Sequence, residues 1–336
     1  MIQEGKAKLN IIPQDKISKE MPVFYNPVMK FNRDISILLL NSIENKDMKL
    51  ADPLAGSGIR SIRFLLELKK NKINQLHLND YSEKAIKSIK KNFKLNKMKI
   101  TKNILLTNQD ANLFILNSKG LDYIDIDPFG TPNPFLDSSV KRISRNGILA
   151  ITATDTSALC GTYPKVCKRK YWAKPIRTEI MHEIGLRILI RKVQLVAAQF
   201  EKALTPIFSY SKDHYMRVFF RCEKAKEKVD EILKQHAHFQ EAGPIWTGQL
   251  WDKKLTQTMF KNNKLPENHN LLEIIHEESK IPSVGFYDTH KVFKNKIPRK
   301  QDLIKKIKKF GYKASETHFN PEAIRSNISL KELKSL

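Results

Sequence analysis

Between Lys49 and about Arg221, short apolar runs alternate with amphipathic stretches, and this alternation narrows the chain to a doubly wound α/β sheet. KLADPL (49–54), QLHLND (75–80), NILLTN, LDYIDI and GILAITAT read as strands; their length and apolar content suit burial inside a parallel sheet. IRSIRFLLELKK and SEKAIKSIKKNFKLN read as intervening helices, the second capped by Ser82. A long amphipathic helix is predicted over 178–203, followed by IFSYS and HYMRVFFR, two strands able to pair as an antiparallel edge. The result is a seven-stranded sheet ending in a hairpin. At 336 residues the chain exceeds the usual size of one domain. From about Cys222 the pattern changes to the helix KAKEKVDEILKQH, the aromatic segment GPIWTGQLWD, a helix around LLEIIHEE and a basic tail. A first domain over 1–221 and a smaller α+β domain over 222–336 are therefore expected.

Four successive strand ends carry Asp52, Asp80, Asp110 and Asp127. The carboxyl edge of an open parallel sheet is where ligands bind. In ADPLAGSGIRS, Gly56 and Gly58 stand between the first strand and a helix, where missing side chains let a ligand approach the backbone and the helix N-terminus. Ser61 occupies the place of the third glycine of a dinucleotide fingerprint, so a pyrophosphate cradle is missing and a nicotinamide oxidoreductase is disfavoured. Asp80 is placed to hold both hydroxyls of a ribose, and Asp110 with the N–H of Ala111 to read an adenine amine and ring nitrogen. Ribose plus adenine without a pyrophosphate site suggests S-adenosyl-L-methionine. Each carboxylate also has a structural reading: Asp80 could simply precede the Ser82 cap, and Asp110 could cap the next helix. Caps do not account for all four, and Asp52, Gly56, Gly58, Asp80, Asp110 and Ala111 form the candidate cofactor set.

Asp125-Ile126-Asp127-Pro128-Phe129-Gly130 sets acidic groups, a proline and an aromatic ring at the mouth of the fourth strand. A carboxylate and a carbonyl can accept the two N–H bonds of an exocyclic base amine while a ring stacks on the base. Asp127, the carbonyl of Pro128 and the ring of Phe129 fit those tasks. Asp125 is ranked below Asp127, as a group facing away or acting through its neighbours. Asp-Pro-x-Gly is also turn chemistry.

Sixty Lys and Arg against 35 Asp and Glu give a formal net charge of +25, which favours a polyanionic partner. One cluster, over 163–192, interleaves Tyr163, Tyr171 and Trp172 with Lys165, Lys168, Arg169, Lys170, Lys174, Arg177, Arg187, Arg191 and Lys192. Cations among aromatics neutralise phosphates and stack bases, although Arg187 and Arg191, four apart, also suit a solvated helix face. A second cluster comprises Lys291, Lys294, Lys296, Arg299, Lys300, Lys305, Lys306, Lys308 and Lys309. No apolar run approaches the roughly 18 to 20 residues that span a bilayer, and MIQEGKAKLNIIPQDK lacks a signal core, so a cytoplasmic protein is expected. Cys160, Cys167 and Cys222 read as reduced thiols. Glu179, His182 and Glu183 lack the spacing of a zinc motif; Thr317-His318-Phe319 and His290 are expected to have a structural or tRNA-contacting role, and Trp246 and Trp251 to pack the second domain.

The order of these motifs resembles the tRNA guanine-26 N2-dimethyltransferase family of archaeal and eukaryotic type. The likeness runs from VFYNPVMKFNRD through DPLAGSGIRSIR, LND, NQDA, DIDPFGTP and ATDTSALCGTYPKVCKRKY to GPIWTGQL, FYDTH and THFNPEAIRSN. It implies a Rossmann-like class I methyltransferase sheet that uses S-adenosyl-L-methionine, with a C-terminal domain that helps hold tRNA. By resemblance, Arg33 and Arg60 would neighbour the methionine carboxylate, with Arg63 a rival to Arg60; Asp80 would take the ribose and Asp110 with Ala111 the adenine. Phe24 would wall the base pocket with Phe129. Many relatives carry a four-cysteine zinc insertion before the GPxW segment, whereas here His236 and His238 precede Ala242 and no cysteine follows Cys222. Two histidines cannot close a structural zinc site, so no metal is expected. The expected partner is tRNA, with no membrane, no obligate protein partner and a monomeric state. The alternatives are an amino-methyltransferase acting on another RNA or DNA base, whose loops more often read Asp/Asn-Pro-Pro-aromatic, and a catalytically dead tRNA-binding protein.

Overall fold

The structure is a computed structural model that describes residues 1–11, 23–293 and 297–336. A short hairpin, β1 (Ile2–Glu4) and β2 (Ala7–Leu9), precedes helix α1 (Lys30–Ser42). Strand β3 (Met48–Asp52), α2 (Ile59–Glu67), β4 (Ile73–Asn79), α3 (Glu83–Leu95), β5 (Ile104–Thr107), α4 (Ala111–Asn117), β6 (Leu121–Ile126), α5 (Asn133–Arg142) and β7 (Ile143–Ala153) then alternate as the apolar pattern requires. Helices α6 (Thr156–Leu159), α7 (Pro164–Tyr171) and α8 (Met181–Ala198) lead to the hairpin β8 (Lys202–Lys212) and β9 (Tyr215–Lys224).

These strands form the expected seven-stranded sheet, in the order β5-β4-β3-β6-β7-β9-β8. The first five are parallel, and β9 and β8 close the edge antiparallel. Strand order reverses between β3 and β6, so the crevice for ligands in a doubly wound sheet opens between the ends of these two strands. In β6 every residue except Asp122 is buried, as befits a central strand covered by helices on both faces. The hydroxyl of Ser82 accepts the N–H of Ala85 and caps α3 as predicted.

The helix predicted over 178–203 ends instead at Ala198: the chain turns through Glu201, at φ 53°, and Lys202 already pairs with Lys224 at the start of β8. Edge pairing outweighs the helical periodicity there. Nζ of Lys202 is buried and donates to the carbonyls of Lys141 (3.1 Å) and Ile143 (2.9 Å), which gives an apolar environment a reason to hold an ammonium group.

The division expected at 222 falls inside β9. Beyond it come α9 (Lys226–Lys234), the hairpin β10 (His236–Phe239) and β11 (Ala242–Trp246), α10 (Lys253–Asn262) and α11 (Pro266–Glu278). Their apolar faces belong to the same hydrophobic core as the sheet, which runs from Ala7 through Ile124 and Phe219 to Trp246, Trp251, Ile275 and Ala323. Strand β12 (Tyr287–Asp288), α12 (Thr289–Val292), α13 (Lys300–Lys309), β13 (Ala314–Glu316), β14 (Ala323–Ser326) and α14 (Leu330–Ser335) complete the chain. Leu303, Ile307, Ala314, Ile324, Ile328 and Leu333 form a separate small cluster among these last elements. What fastens this end is charge: buried Arg325 of β14 reaches Glu183 of α8 (2.6 Å) and Glu278 of α11 (2.9 Å), while Thr317 and His318 also bond Glu278. Of the two roles expected for the Thr317-His318-Phe319 segment these bonds supply the structural one, and Trp246 and Trp251 are both buried.

Burial alone would raise the pKa of Glu278, but His318 and Arg325 outweigh it and hold the group at about 2, against an ordinary 4.5. Its stabilising contribution is therefore complete above pH 4.5 and is lost as pH falls towards 2. In acid unfolding followed by near-UV circular dichroism, Glu278→Gln is expected to flatten that part of the curve. Arg325→Met, which strands two carboxylates, should cost about 3–5 kcal/mol in urea unfolding.

Candidate active site

Pro128 ends β6, and the turn that follows is pinned to the end of β7. The N–H of Gly130 donates to Oγ1 of Thr154 (2.6 Å), and the carbonyl of Gly130 accepts the N–H of Thr154 (2.9 Å). Gly130 has φ 77°, a left-handed conformation that glycine adopts without steric cost. The pinned turn presents Asp127, Pro128 and Phe129 to a cavity of about 800 Å³, whose walls also include Phe24, Arg33, Gly56, Asp80, His214 and Tyr215. The ring of Phe24 meets that of Phe129 edge-on, with centroids 4.3 Å apart. The predicted aromatic wall is therefore assembled from two segments about a hundred residues apart.

Beneath Asp127 lies a lattice of buried charge. Arg60 bonds Asp127 directly, pairs with Asp125 (3.2 Å) and donates to Ser36 (3.0 Å) and Asn32 (2.9 Å). Asp125 is held bidentately by Arg217 of β9 (3.0 and 2.7 Å) and accepts the hydroxyl of Tyr123. Burial works against ionised Asp125, but the Arg217 and Arg60 guanidiniums outweigh it and hold its pKa below the usual carboxylate range. Asp125 thus acts through Arg60, on the same side of the strand as Asp127, rather than facing away.

Arg60, Asp52 and Gly58, all expected at the cofactor, lie off the cavity lining and have other partners. Arg60, expected beside a methionine carboxylate, does not line the cavity, because its guanidinium is bound to Asp125 and Asp127. Its rival Arg63 is also buried off the cavity, paired with Glu4 (2.9 Å), Asp34 (2.6 Å) and Glu67 (2.9 Å). Asp52 is buried below the loop and accepts the hydroxyl of Ser61 (2.8 Å), so the serine that breaks the dinucleotide fingerprint has a structural partner. Gly58 has φ 78° and backs onto α3: a Cβ there would lie 3.0 Å from Cγ1 of Ile89, which makes it a packing glycine.

Gly56, Asp80 and Arg33 do reach the cavity. Gly56 has φ 54°, a Cβ on it would lie 3.1 Å from the carbonyl oxygen of Phe24, and its N–H donates to Oδ2 of Asp80 (2.8 Å). Oδ1 of Asp80 accepts the N–H of Ser82 (2.9 Å). A carboxylate has about four lone-pair sites, so two remain for a ligand. Arg33 is gripped by Glu4 through Nε (2.7 Å) and donates through Nη2 to the carbonyl of Asn26 (3.0 Å); among the described residues its Nη1 makes no hydrogen bond. Burial would raise the pKa of Glu4, yet Arg33 and Arg63 outweigh it and hold the group below its ordinary value. Asp110 caps α4, accepting the N–H groups of Asn112 (2.8 Å) and Leu113 (3.1 Å), and neither it nor Ala111 is in the cavity lining. The segment that leads to them is tied to a residue of the cavity wall: Asn108 donates to the carbonyl of Asp80 (2.8 Å).

The basic clusters divide on folding. Tyr163, Lys165, Lys168, Arg169, Lys170, Trp172, Lys174 and Arg177 are exposed. Tyr171, Arg187 and Lys192 are buried: the Tyr171 hydroxyl bonds Asp155 (2.6 Å), and Arg187 bonds Glu183 (2.8 Å). In the second cluster Lys291 pairs with Glu179 (2.6 Å) and Lys300 with Glu316 (3.0 Å), while Lys305, Lys306, Lys308 and Lys309 are exposed. Lys294 and Lys296 lie outside the described residues. Among the described residues no three His, Cys, Asp or Glu side chains are gathered as a metal site, and no helix is long and apolar enough to cross a membrane. Glu4, His214, Tyr215 and Arg217 were not foreseen. For Arg217 a signal existed: a cation in the middle of the apolar run HYMRVFFR needs a buried carboxylate.

The sequence profile of the N2,N2-dimethylguanosine tRNA methyltransferases matches residues 5–241 and 234–336. A tRNA (guanine(26)-N(2)/guanine(27)-N(2))-dimethyltransferase of Aquifex aeolicus (strain VF5) is 39% identical over 375 aligned residues, covering 99% of this chain and 94% of the relative. A tRNA (guanine(26)-N(2))-dimethyltransferase of Methanocaldococcus jannaschii is 36% identical, covering 99% and 97%. The solved structure of Trm1 from Pyrococcus horikoshii with S-adenosyl-L-methionine superposes with a TM-score of 0.89 at 34% identity, covering 99% of this chain and 98% of that one.

Burial, reinforced by Asp125 and Asp127 and only partly offset by Arg60, pushes Asp52 up to about 7 from an ordinary 3.8. Its contribution to stability is complete below pH 3.8 and is lost as pH rises through 7. Asp52→Asn, which cannot ionise, is expected to remove the fall in the urea midpoint that the parent protein shows between about pH 4 and pH 7.

Proposed function

The chain belongs to the N2,N2-dimethylguanosine tRNA methyltransferase family, and on that premise we propose that its cavity transfers methyl groups from S-adenosyl-L-methionine to the exocyclic N2 of guanine 26 in tRNA, twice, giving N2,N2-dimethylguanosine. The observation that carries this reading is the Asp127-Pro128-Phe129 turn, which opens into the same cavity as Asp80 and Gly56. About 800 Å³ lies in the range of small-molecule sites, and the polar groups at its wall suit the cofactor. Asp80 accepts the ribose hydroxyls on its free lone pairs. Arg33 offers Nη1 to the methionine carboxylate, and Asp110 with the N–H of Ala111 takes the adenine edge. The cofactor supplies an already electrophilic methyl group.

The chemical difficulty is the guanine amine, whose lone pair is delocalised into the ring. A carboxylate and a carbonyl that accept its two hydrogens localise that lone pair and aim it. Asp127 and the carbonyl of Pro128 do this, with Asp127 receiving the proton as the N–CH₃ bond forms. Arg60 fixes the Asp127 carboxylate in place, and Asp125 and Arg217 fix Arg60. Phe129 and Phe24 bound the slot in which the flipped base stacks. Monomethylated guanine retains one N–H, so the same groups serve the second transfer. The protein acts as a monomer in this reading, and the need to meet tRNA supports a cytoplasmic site.

Asp127→Ala is expected to lower kcat by at least roughly a hundredfold while cofactor affinity stays within a few-fold, read by nucleoside mass spectrometry of an unmodified tRNA transcript. A transcript with adenine at position 26 should gain no N2-methylguanosine there; methylation of duplex DNA in preference to tRNA would refute the reading. Arg60→Lys keeps the charge but loses the fork, and should lower kcat about tenfold with little change in KM for tRNA.

A further inference from the structure

Among the three tryptophans, Trp246 and Trp251 are buried while Trp172 is 52% exposed. It closes α7 with φ 57°, a left-handed conformation that a bulky side chain adopts only where its surroundings impose it. Those surroundings are visible. Nη1 of Arg191 donates to the carbonyl of Trp172 (3.2 Å), and Nζ of Lys192 sits 2.9 Å from the indole centroid. Lys192 is buried and has no carboxylate partner among the described residues, so the indole face is its counterpart. The ring is therefore held from beneath by a cation and leaves its other face to solvent, an unusual place for the largest apolar side chain.

The neighbourhood is cationic. Lys165, Lys168, Arg169 and Lys170 of α7 and Lys174 just beyond it are exposed; Lys170 pairs with Asp155 (3.3 Å) and Lys174 with Glu241 (3.5 Å), which leaves Lys165, Lys168 and Arg169 without a carboxylate among the described residues. The strip is tied to the rim of the catalytic cavity: Asn133 donates to the carbonyl of Lys170 (2.8 Å), and the Tyr171 hydroxyl bonds Thr131 (2.9 Å), itself a cavity wall. A cation beneath the indole draws ring electrons towards itself, so the open face suits an electron-rich nucleobase better than the Arg or Lys of another protein.

We propose that Trp172 is a stacking platform for an unpaired base of tRNA, with the exposed cations of α7 holding the flanking phosphates while guanine 26 enters the cavity. The proposal rests on tRNA being the substrate, as argued above. It gives α7 a task distinct from that of Asp127: the ring orders the strand next to the target base, and the link through Asn133 and Tyr171 keeps platform and pocket in register.

Because one base–aromatic stack is worth roughly 5- to 100-fold in affinity, Trp172→Ala should raise Kd and KM for tRNA by a factor in that range. The loss falls on KM rather than on kcat, and S-adenosyl-L-methionine binding is unchanged. Trp172→Phe, which keeps a π-face, should retain most of the affinity and guards against a merely misfolded α7. Added tRNA should quench the fluorescence of the parent protein, and that quenching should disappear in Trp172→Phe. Trp172→Ala binding tRNA within twofold of the parent, with the parent active, would overturn the platform, including the case in which the ring serves a protein partner instead. A parent protein that methylates no tRNA would overturn the functional reading and the platform with it.

Discussion

The ion pair between Arg60 and Asp127 joins the two halves of the sheet at the point where strand order reverses. Arg60 comes from the helix after β3, and Asp127 from the turn after β6. Bringing the two strands together necessarily crowds Asp52, Asp125 and Asp127 at one edge, and buried like charges cannot all ionise without counter-charge. The protein answers with Arg60 and Arg217, and with protonation of Asp52, whose pKa is pushed up to about 7 by burial first and by Asp125 and Asp127 beside it. The same lattice that neutralises the crevice also fixes the one carboxylate of the lattice that reaches the cavity. Stability and catalytic geometry therefore share their atoms.

Two further clamps use the same chemistry at a distance. Glu4, from the N-terminal hairpin, grips Arg33 and Arg63, so that a three-residue strand fixes the guanidinium at the cavity wall. Arg325 binds Glu183 and Glu278, fastening the last small sheet to α8 and α11. A buried Arg held by two carboxylates cross-links three distant elements as a metal would, though by charge and hydrogen bonds rather than coordination.

Much of the fold was legible because it rests on local periodicity. LDYIDI can only be a buried strand, Ser82 and Asp110 are good caps, and the alternation from Lys49 onward leaves few other architectures. The site was legible in part. Asp80, Asp127 and Phe129 were placed correctly at the cavity because strand ends in such sheets converge there. Asp52, Gly58 and Arg60, read as ligand contacts from the strand end, the glycine turn and the family resemblance respectively, do not line the cavity, since the sequence does not say which way each points. In a loop that wraps from strand to helix, adjacent residues diverge: Gly56 faces the cavity and Gly58 faces Ile89.

The basic segment over 163–192 makes the same distinction sharper. Arg187 and Lys192 were counted as phosphate binders, yet Arg187 is bound to Glu183 inside the core and Lys192 lies beneath Trp172. Residues by themselves determined the order of strands and helices, the carboxylates at the strand ends, the acceptor-and-ring chemistry of the Asp127 turn and an excess of positive charge, since each depends on neighbours in the chain. Only the tertiary structure decided which charges meet which. Glu4 with Arg33, Arg60 with Asp127, Arg217 with Asp125 and Arg325 with Glu183 are separated by 29 to 142 residues, and such partners are chosen by packing that no local pattern encodes.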